Sequence, residues 1–115
     1  MILKSLMWVG SSRADLKALP SQVQDEIGYG LYQAQLGHFP DGAKPLKGWS
    51  GVIEIVANFD KNTYRAVYAT KLGDRIYVLH VFKKKSKSGI KTPKEEIDLI
   101  NRRLQTAKMI AKGEV

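Results

Sequence analysis

The sequence predicts an α+β fold, with two N-terminal helices and one C-terminal helix packed on a mainly antiparallel twisted sheet. Three observations lead to this class. Apolar residues recur at helical spacing between residues 12 and 36, they alternate with a period of two in much of 52–84, and helical spacing returns after Pro93. Helices that are separated in sequence from a run of hairpin-linked strands are typical of α+β proteins.

The N-terminal region is predicted to form a strand and then a short helix. Residues 3–9 are mainly apolar and are followed by the turn signals Gly-Ser-Ser at 10–12. Either Ser11 or Ser12 is a suitable N-cap for a helix that runs to Leu19.

A second helix is predicted over residues 22–36, with Ser21 as its cap and Gly37 in the C′ position. Gly28 and Gly30 lie inside this helix, where each costs about 1 kcal/mol relative to alanine. We therefore expect them to allow close packing. The inward stripe consists of Val23, Ile27, Leu31 and Ala34.

The middle of the chain is predicted to be a loop followed by a three-stranded meander. Residues 38–51 contain two prolines and three glycines, so we expect no regular structure there. Strands are predicted over 52–59, 63–71 and 76–84, joined by short turns. Since the third strand is apolar on both faces, we expect it to be central and covered on both sides.

The last helix is predicted to begin near Pro93, with Thr92 as its cap and acidic residues in its first turn. Its cations at 102, 103, 108 and 112 are expected away from the buried stripe. That stripe is predicted to consist of Ile97, Ile100, Leu104, Ala107 and Ala111.

The length and composition favour one domain over residues 1–115. The chain has no cysteine, and His38 and His80 lie far apart in sequence, so we predict neither a metal site nor a cofactor. The N-terminus lacks a signal-type apolar segment, and no run approaches the ~20 residues that span a bilayer. We therefore expect a cytoplasmic protein that does not bind a membrane.

The net charge of +8 is concentrated in the second half of the chain. Residues 1–60 carry five Lys/Arg and six Asp/Glu, whereas residues 61–115 carry fourteen Lys/Arg and five Asp/Glu. This asymmetry predicts a cationic face that binds RNA, DNA or an acidic protein segment. The alternative is a basic surface that serves only solubility.

The cations are densest where the third strand of the meander ends. We predict that this strand end, together with Lys44 and Lys47 of the preceding loop, contacts the RNA backbone. For all these lysines the alternative is a solvated surface. Alternation along the strand sends Lys83 and Lys85 to one face and Lys84 to the other. The lysines at and after the strand end are Lys83, Lys84, Lys85, Lys87 and Lys91.

Arg65, Lys84 and His80 are the candidate catalytic residues. RNA cleavage needs no metal if the 2′-hydroxyl is the nucleophile, provided that the protein orients it, stabilises the phosphate oxygens and assists proton transfer. An arginine fixed on a strand suits phosphate binding, although Arg65 could instead pair with Glu54 on the neighbouring strand. His80 could be a general base or a core histidine with a satisfied hydrogen bond.

A series of short motifs, which keep their order over nearly the whole chain, resembles the phage-derived branch of the HigB/RelE-type toxins. The motifs are Trp8-Val9-Gly10-Ser11-Ser12, Asp15-Leu16, Leu19-Pro20, Glu54-Ile55, Tyr64-Arg65-Ala66-Val67-Tyr68, Tyr77-Val78-Leu79-His80, Phe82-x-Lys84-Lys85-Ser86 and Lys91-Thr92-Pro93.

This resemblance implies a RelE-like fold and a ribosome-dependent mRNA endonuclease, the toxin of a type II toxin–antitoxin system. It implies mRNA on the ribosome as substrate and an antitoxin as partner, commonly a helix-turn-helix protein. It also supports Arg65 and Lys84-Lys85 as phosphate-facing residues.

The chain departs from the family pattern at two points. Many relatives carry an arginine shortly after the Glu-Ile/Leu pair, where this chain has Val56, and some use a C-terminal tyrosine, whereas no tyrosine follows Tyr77 here. These departures favour an alternative, a non-catalytic module of phage origin that binds RNA or an acidic protein. A phage structural or regulatory protein with the same fold is a third reading.

Overall fold

The computed structural model describes residues 3–84 and 92–113. It contains three helices and five strands within these residues, in the order β1, α1, α2, β2, β3, β4, β5, α3. This arrangement confirms the predicted α+β class. The elements are β1 Ser5–Trp8, α1 Ser12–Lys17, α2 Ser21–Gln35, β2 Ala43–Pro45, β3 Val52–Phe59, β4 Asn62–Leu72, β5 Arg75–Lys84 and α3 Lys94–Ala111.

The strands form one sheet in the order β1-β5-β4-β3-β2. The β3-β4-β5 meander is antiparallel, as predicted, whereas β1 adds to β5 in parallel. The Ser12 hydroxyl donates a 3.1 Å hydrogen bond to the Val78 carbonyl of β5, and the Val9 amide donates to the same oxygen at 3.0 Å. These bonds fix the start of α1 against the centre of the sheet.

The sheet separates two apolar cores, because helices cover both of its faces. The side chains of α2, such as Ile27 and Leu31, pack with Ile55 and Tyr68 on one face. On the other face, α3 packs mainly on β4 and β5. Strand β5 contributes to both cores, which confirms that it is central and covered on both sides. Along α3 the predicted stripe is buried at Ile100, Leu104 and Ala107, whereas Ile97 is half-buried and Ala111 is exposed.

The prediction that residues 38–51 lack regular structure was wrong, because β2 forms within them. Ala43, Lys44 and Pro45 pair antiparallel with Ile55, Glu54 and Ile53 of β3. The strand is short and lies at the edge of the sheet. An edge strand tolerates proline, since one side of it needs no hydrogen-bond donor.

The N-cap of each long helix lies one residue from the predicted one. Pro20 and Pro93 occupy the N-cap positions, with ψ of 146° and 150°, and neither helix has a side-chain cap. The predictions of Ser21 and Thr92 as caps were therefore wrong. The extended geometry of each proline supplies the non-helical backbone that an N-cap requires. Gly37 takes the predicted C′ position, and the amide of His38 bonds to the carbonyl of Gln33 at 2.9 Å.

None of the helices within residues 3–84 and 92–113 combines the length and the apolar character needed to cross a lipid bilayer.

The two glycines inside α2 differ in their surroundings. A Cβ on Gly30 would lie 2.9 Å from Cδ1 of the buried Ile55, so this glycine allows the helix to approach β3 closely. A Cβ on Gly28 would meet nothing within 4 Å. The expectation of close packing is therefore confirmed for Gly30 and wrong for Gly28, which faces open space.

Gly28→Ala is expected to raise the free energy of unfolding by about 0.8–1 kcal/mol, because alanine removes the helix-interior cost of glycine without a clash. Gly30→Ala is the matched control, and the required movement of Ile55 should remove this gain. Urea denaturation of both variants measures the difference. Equal stabilisation by the two substitutions would contradict the assignment of Gly30 as the packing glycine.

Candidate nucleic-acid interface

Three predicted site residues, Lys44, Arg65 and Lys84, lie on the sheet face that also carries α3. Strand register places them there, since paired residues of neighbouring strands point to the same side. Lys44 of β2 is paired with Glu54 of β3. Arg65 of β4 is paired with Phe82 of β5, and Lys84 is paired with Thr63, which lies two residues from Arg65 on β4. The fold thus collects cations from β2, β4 and β5 on one surface.

Glu54 and Arg65 form a buried ion pair at the centre of this surface. Nη1 of Arg65 donates to Oε1 of Glu54, and the two side chains are only 7% and 1% exposed. Nζ of Lys44 lies 3.8 Å from the same carboxylate oxygen. Of the two alternatives for Arg65, the structure contains the pair with Glu54. The pair nevertheless lies on the face that carries Lys84, so it belongs to the cationic surface.

The pair keeps unused hydrogen-bonding capacity. Oε2 of Glu54 and Nε of Arg65 are buried and have no hydrogen-bond partner among the described residues. Unpaired buried polar atoms are unfavourable, so the pair carries a desolvation cost that the described residues do not offset.

Lys84 is partly buried beside the ion pair. Burial and then the Arg65 charge lower the pKa of Lys84, with a further contribution from Lys44, while Glu54 opposes the shift. A lysine with a lowered pKa transfers its proton more readily near neutral pH than an ordinary lysine does. Lys84 therefore combines a position on the cationic surface with the chemistry of a proton donor.

A groove runs along this surface between β2 and the start of α3. It is lined by Lys44, Lys47 and Glu54 on the sheet side and by Thr92 and Ile97 on the helix side. A second concavity lies around Lys84, where Phe82 and Pro93 are apolar walls and Glu95 and Glu96 are acidic ones. The predicted lysines Lys44 and Lys47 thus line one groove, and Lys84, whose pKa also responds to the Lys44 charge, lines the second concavity.

The remaining predicted lysines do not all share this surface. Lys83 is paired with Tyr64, which belongs to the α2 core, so alternation directs it to the opposite face, as predicted. The predictions for Lys85, Lys87 and Lys91 fall outside the residues that the structure describes.

His80 is buried and hydrogen-bonded, in agreement with the core-histidine alternative. Its Nε2 lies 3.2 Å from Oε1 of Glu96, and its ring stacks on Phe82 at a centroid distance of 4.6 Å. Nη1 of Arg103 lies 3.5 Å from Nδ1 and donates to the Leu79 carbonyl at 3.0 Å. A neutral ring with its proton on Nε2 satisfies both neighbours.

Arg103 extends this network to the first helix. Its Nη2 donates to the Ser11 hydroxyl at 2.9 Å, and that hydroxyl donates to Asp15 at 2.7 Å. The sequence pattern predicts that Arg103 lies away from the packed stripe, and it predicts no contact between Glu96 and His80. Glu96 lies four residues before the buried Ile100 and Arg103 lies three residues after it, so both are its neighbours on the helix surface. This spacing is the sequence signal that could have identified them.

Glu54→Ala is expected to lower the free energy of unfolding by about 3–5 kcal/mol, because it leaves the Arg65 charge buried without its counterion. The matched control is the double variant Glu54→Leu/Arg65→Met, which removes both charges and should recover most of the loss. Urea denaturation measures both variants. A double variant as unstable as Glu54→Ala would show that packing, and not the charge, dominates at this site.

The stability of the protein is expected to fall as the pH is lowered below about 6.5. Burial lowers the pKa of His80 below its ordinary value of 6.5, and the hydrogen bond to Glu96 opposes this shift without cancelling it. The unfolded chain therefore binds the proton more tightly than the folded protein does. The contribution of His80 to stability is fully present above about pH 6.5 and is lost as the pH falls through the lowered folded-state pKa.

His80→Gln keeps a donor towards Glu96 and does not titrate, so it should flatten this pH dependence in thermal unfolding experiments. His38→Gln, at an exposed histidine, is the control and should leave it unchanged. Identical pH profiles for wild type and His80→Gln would refute the assignment to His80.

Comparison with known proteins agrees with the family predicted from the motifs at a coarse level. A search of curated proteins found no match. Among solved structures, a chain of the toxin–antitoxin complex RelBE2 from Mycobacterium tuberculosis aligns at 21% identity. The alignment covers 70% of this chain and 96% of that one, with a TM-score of 0.46. The family profile described as "Phage derived protein Gp49-like (DUF891)" matches residues 14–105. This match spans most of the sequence and every helix and strand from α2 to β5, and the chain therefore belongs to the family of phage-derived Gp49-like proteins.

Proposed function

We propose that this protein is the HigB-like toxin of a type II toxin–antitoxin system, a metal-independent endonuclease that cleaves mRNA on the ribosome. The observation that carries the proposal is the convergence of Lys44, Arg65 and Lys84 on one groove-bearing face. With Glu54 ionised, this cluster retains a net charge of about +2, which attracts the phosphodiester of RNA. The motif resemblance and the phage-derived family support the same function.

The proposed reaction uses the 2′-hydroxyl of RNA as the nucleophile. That oxygen gives its proton to solvent water and attacks the adjacent phosphorus, the bond to the 5′-oxygen breaks, and a 2′,3′-cyclic phosphate forms. Lys44 and Arg65 stabilise the additional negative charge on the phosphate oxygens. Lys84, whose pKa is lowered by burial and by Arg65, protonates the departing 5′-oxygen.

His80 receives a positioning role in this mechanism. Its side chain is 7% exposed, and its Nε2 is engaged by Glu96. The stacked Phe82 ring lies between it and the Lys84 end of the strand. His80 therefore connects β5 to α3 beside the cationic surface, and contact with RNA is assigned to the lysines and Arg65.

The proposal includes two partners beyond the mRNA. The ribosome would hold the RNA in the geometry that the in-line attack requires, which a shallow groove does not impose by itself. An antitoxin, expected to be a helix-turn-helix protein, would neutralise the activity. The nearest gene to test is the open reading frame beside the one that encodes this chain.

A second candidate function is a non-catalytic module that binds RNA or an acidic protein segment. The pairing of Arg65 with Glu54 favours it, because a guanidinium engaged by a carboxylate is less free to bind a phosphate. Val56 and the absence of a tyrosine after Tyr77 favour it as well. This alternative predicts salt-sensitive binding without cleavage.

Lys84→Ala is expected to reduce mRNA cleavage by translating ribosomes about 100-fold or more, because it removes the proton donor. Primer extension on a defined mRNA measures the cleavage, and induced expression should arrest growth for wild type but not for Lys84→Ala. Lys108→Ala, at an exposed lysine of α3, is the charge-matched control and should behave like wild type. Lys84 is a cleaner test than Arg65, whose removal would also leave Glu54 unpaired.

Intact mRNA and normal growth with the wild-type protein would refute the nuclease proposal. If that protein still binds RNA, and Lys84→Ala reduces the slope of log affinity against log salt by about 1, the binding module is the correct function. If mRNA cleavage by Lys84→Ala equals that by Lys108→Ala, a group other than Lys84 protonates the departing 5′-oxygen.

A further inference from the structure

The outward face of α2 carries exposed aromatic side chains that the fold does not use. Tyr29 and Tyr32, three residues apart on the helix, are 61% and 47% exposed, and Phe39 just beyond the helix is 53% exposed. Two large apolar rings that lie side by side in water offer contact area to a partner.

The same face is acidic in a strongly basic protein. Residues 18–43 contain no lysine or arginine, and they include Asp25, Glu26 and Asp41, all of which are exposed. Asp25 and Glu26 lie one turn before Tyr29, so carboxylates and aromatic rings form one continuous strip. At the two ends of the helix, the carbonyl of Lys17 accepts a hydrogen bond from Gln24, and the backbone of Lys4 bonds to Gln35.

Gly28 opens a notch in this strip. It lies between the acidic and aromatic residues, and no atom of residues 3–84 or 92–113 lies within 4 Å of the place where its Cβ would be. Glycine in a helix interior costs about 1 kcal/mol relative to alanine, and packing within this chain does not explain it. A glycine on an outward helix face permits the backbone of a second helix to approach closely.

We propose that the outward face of α2, formed by Asp25, Glu26, Gly28, Tyr29 and Tyr32, is the docking surface for a basic amphipathic helix of a partner protein. Charge complementarity selects this occupant, because arginines of such a helix would pair with the carboxylates and stack on the tyrosine rings. Its apolar residues would cover Tyr29 and Tyr32, and its backbone would pass over Gly28. The inference does not depend on the proposed nuclease function.

The outward face of α2 and the cationic groove lie on opposite sides of the sheet. Helix α2 packs on the sheet face opposite to the one that carries Lys44, Arg65 and Lys84. A partner on α2 therefore leaves the cationic face open, so occupation of the two surfaces is compatible.

The test uses two synthetic 18-residue helical peptides and the full-length, isotope-labelled protein. One peptide carries leucines at helical spacing with arginines on its flanks, and the other carries glutamates in place of the arginines. The arginine peptide should shift the NMR signals of residues 25–32. The glutamate peptide should be excluded from α2 and should shift signals at Lys44 and Lys84 instead.

Gly28→Leu should fill the notch and weaken binding of the arginine peptide about tenfold or more, without loss of stability, since the Cβ of the added side chain meets nothing within 4 Å in the part of the chain that the structure describes. Asp25→Lys/Glu26→Lys should weaken it similarly by reversing the charge. Met109→Ser, which removes an exposed apolar residue of α3, is the control and should bind like wild type.

Absence of binding by the arginine peptide, or unchanged affinity in Gly28→Leu, would overturn the proposal. A concentration-dependent dimer in sedimentation that Gly28→Leu abolishes would also overturn it, because the occupant would then be a second copy of this chain. Binding of RNA measured in parallel should be the same for Gly28→Leu and wild type, which separates this surface from the proposed nuclease site.

Discussion

The buried ion pair between Glu54 and Arg65 is the constraint on which the cationic face depends. It joins β3 to β4, the first two strands of the meander, on a surface where burial of either charge alone would be costly. Because the carboxylate also attracts Lys44 and opposes the lowering of the Lys84 pKa by burial and by Arg65, one buried anion favours the close approach of three cations. Without it, like charges on neighbouring strands would repel and the face would be less stable.

A second polar network holds α3 against β5 on the same face of the sheet. His80, Glu96 and Arg103 connect β5 to α3, and Ser11 with Asp15 extends the connection to α1. The groove lies between β2 and the start of α3, so the position of that helix sets its width. The network therefore links the core histidine to the geometry of the proposed RNA-binding surface, although the ring itself is shielded by Phe82.

The sheet divides the molecule into two surfaces of different character. The face with Lys44 and Lys84 is cationic and has a groove, as a surface that binds a polyanion requires. The face covered by α2 presents carboxylates and exposed tyrosines. The uneven charge along the sequence is thus also uneven in space, and the two proposed interactions draw on opposite sides of one sheet.

The sequence by itself determined the types of element, the central place of β5 and the charge asymmetry, because these follow from local periodicity and composition. It also contained the motifs of the phage-derived family. The tertiary structure decided what depends on pairing between distant residues. It placed β1 parallel to β5, formed β2 inside a segment rich in proline and glycine, and brought Arg103 to His80. It also resolved the alternatives for Arg65 in favour of Glu54, since cross-strand register is set by packing of the whole sheet and not by any single stretch of residues.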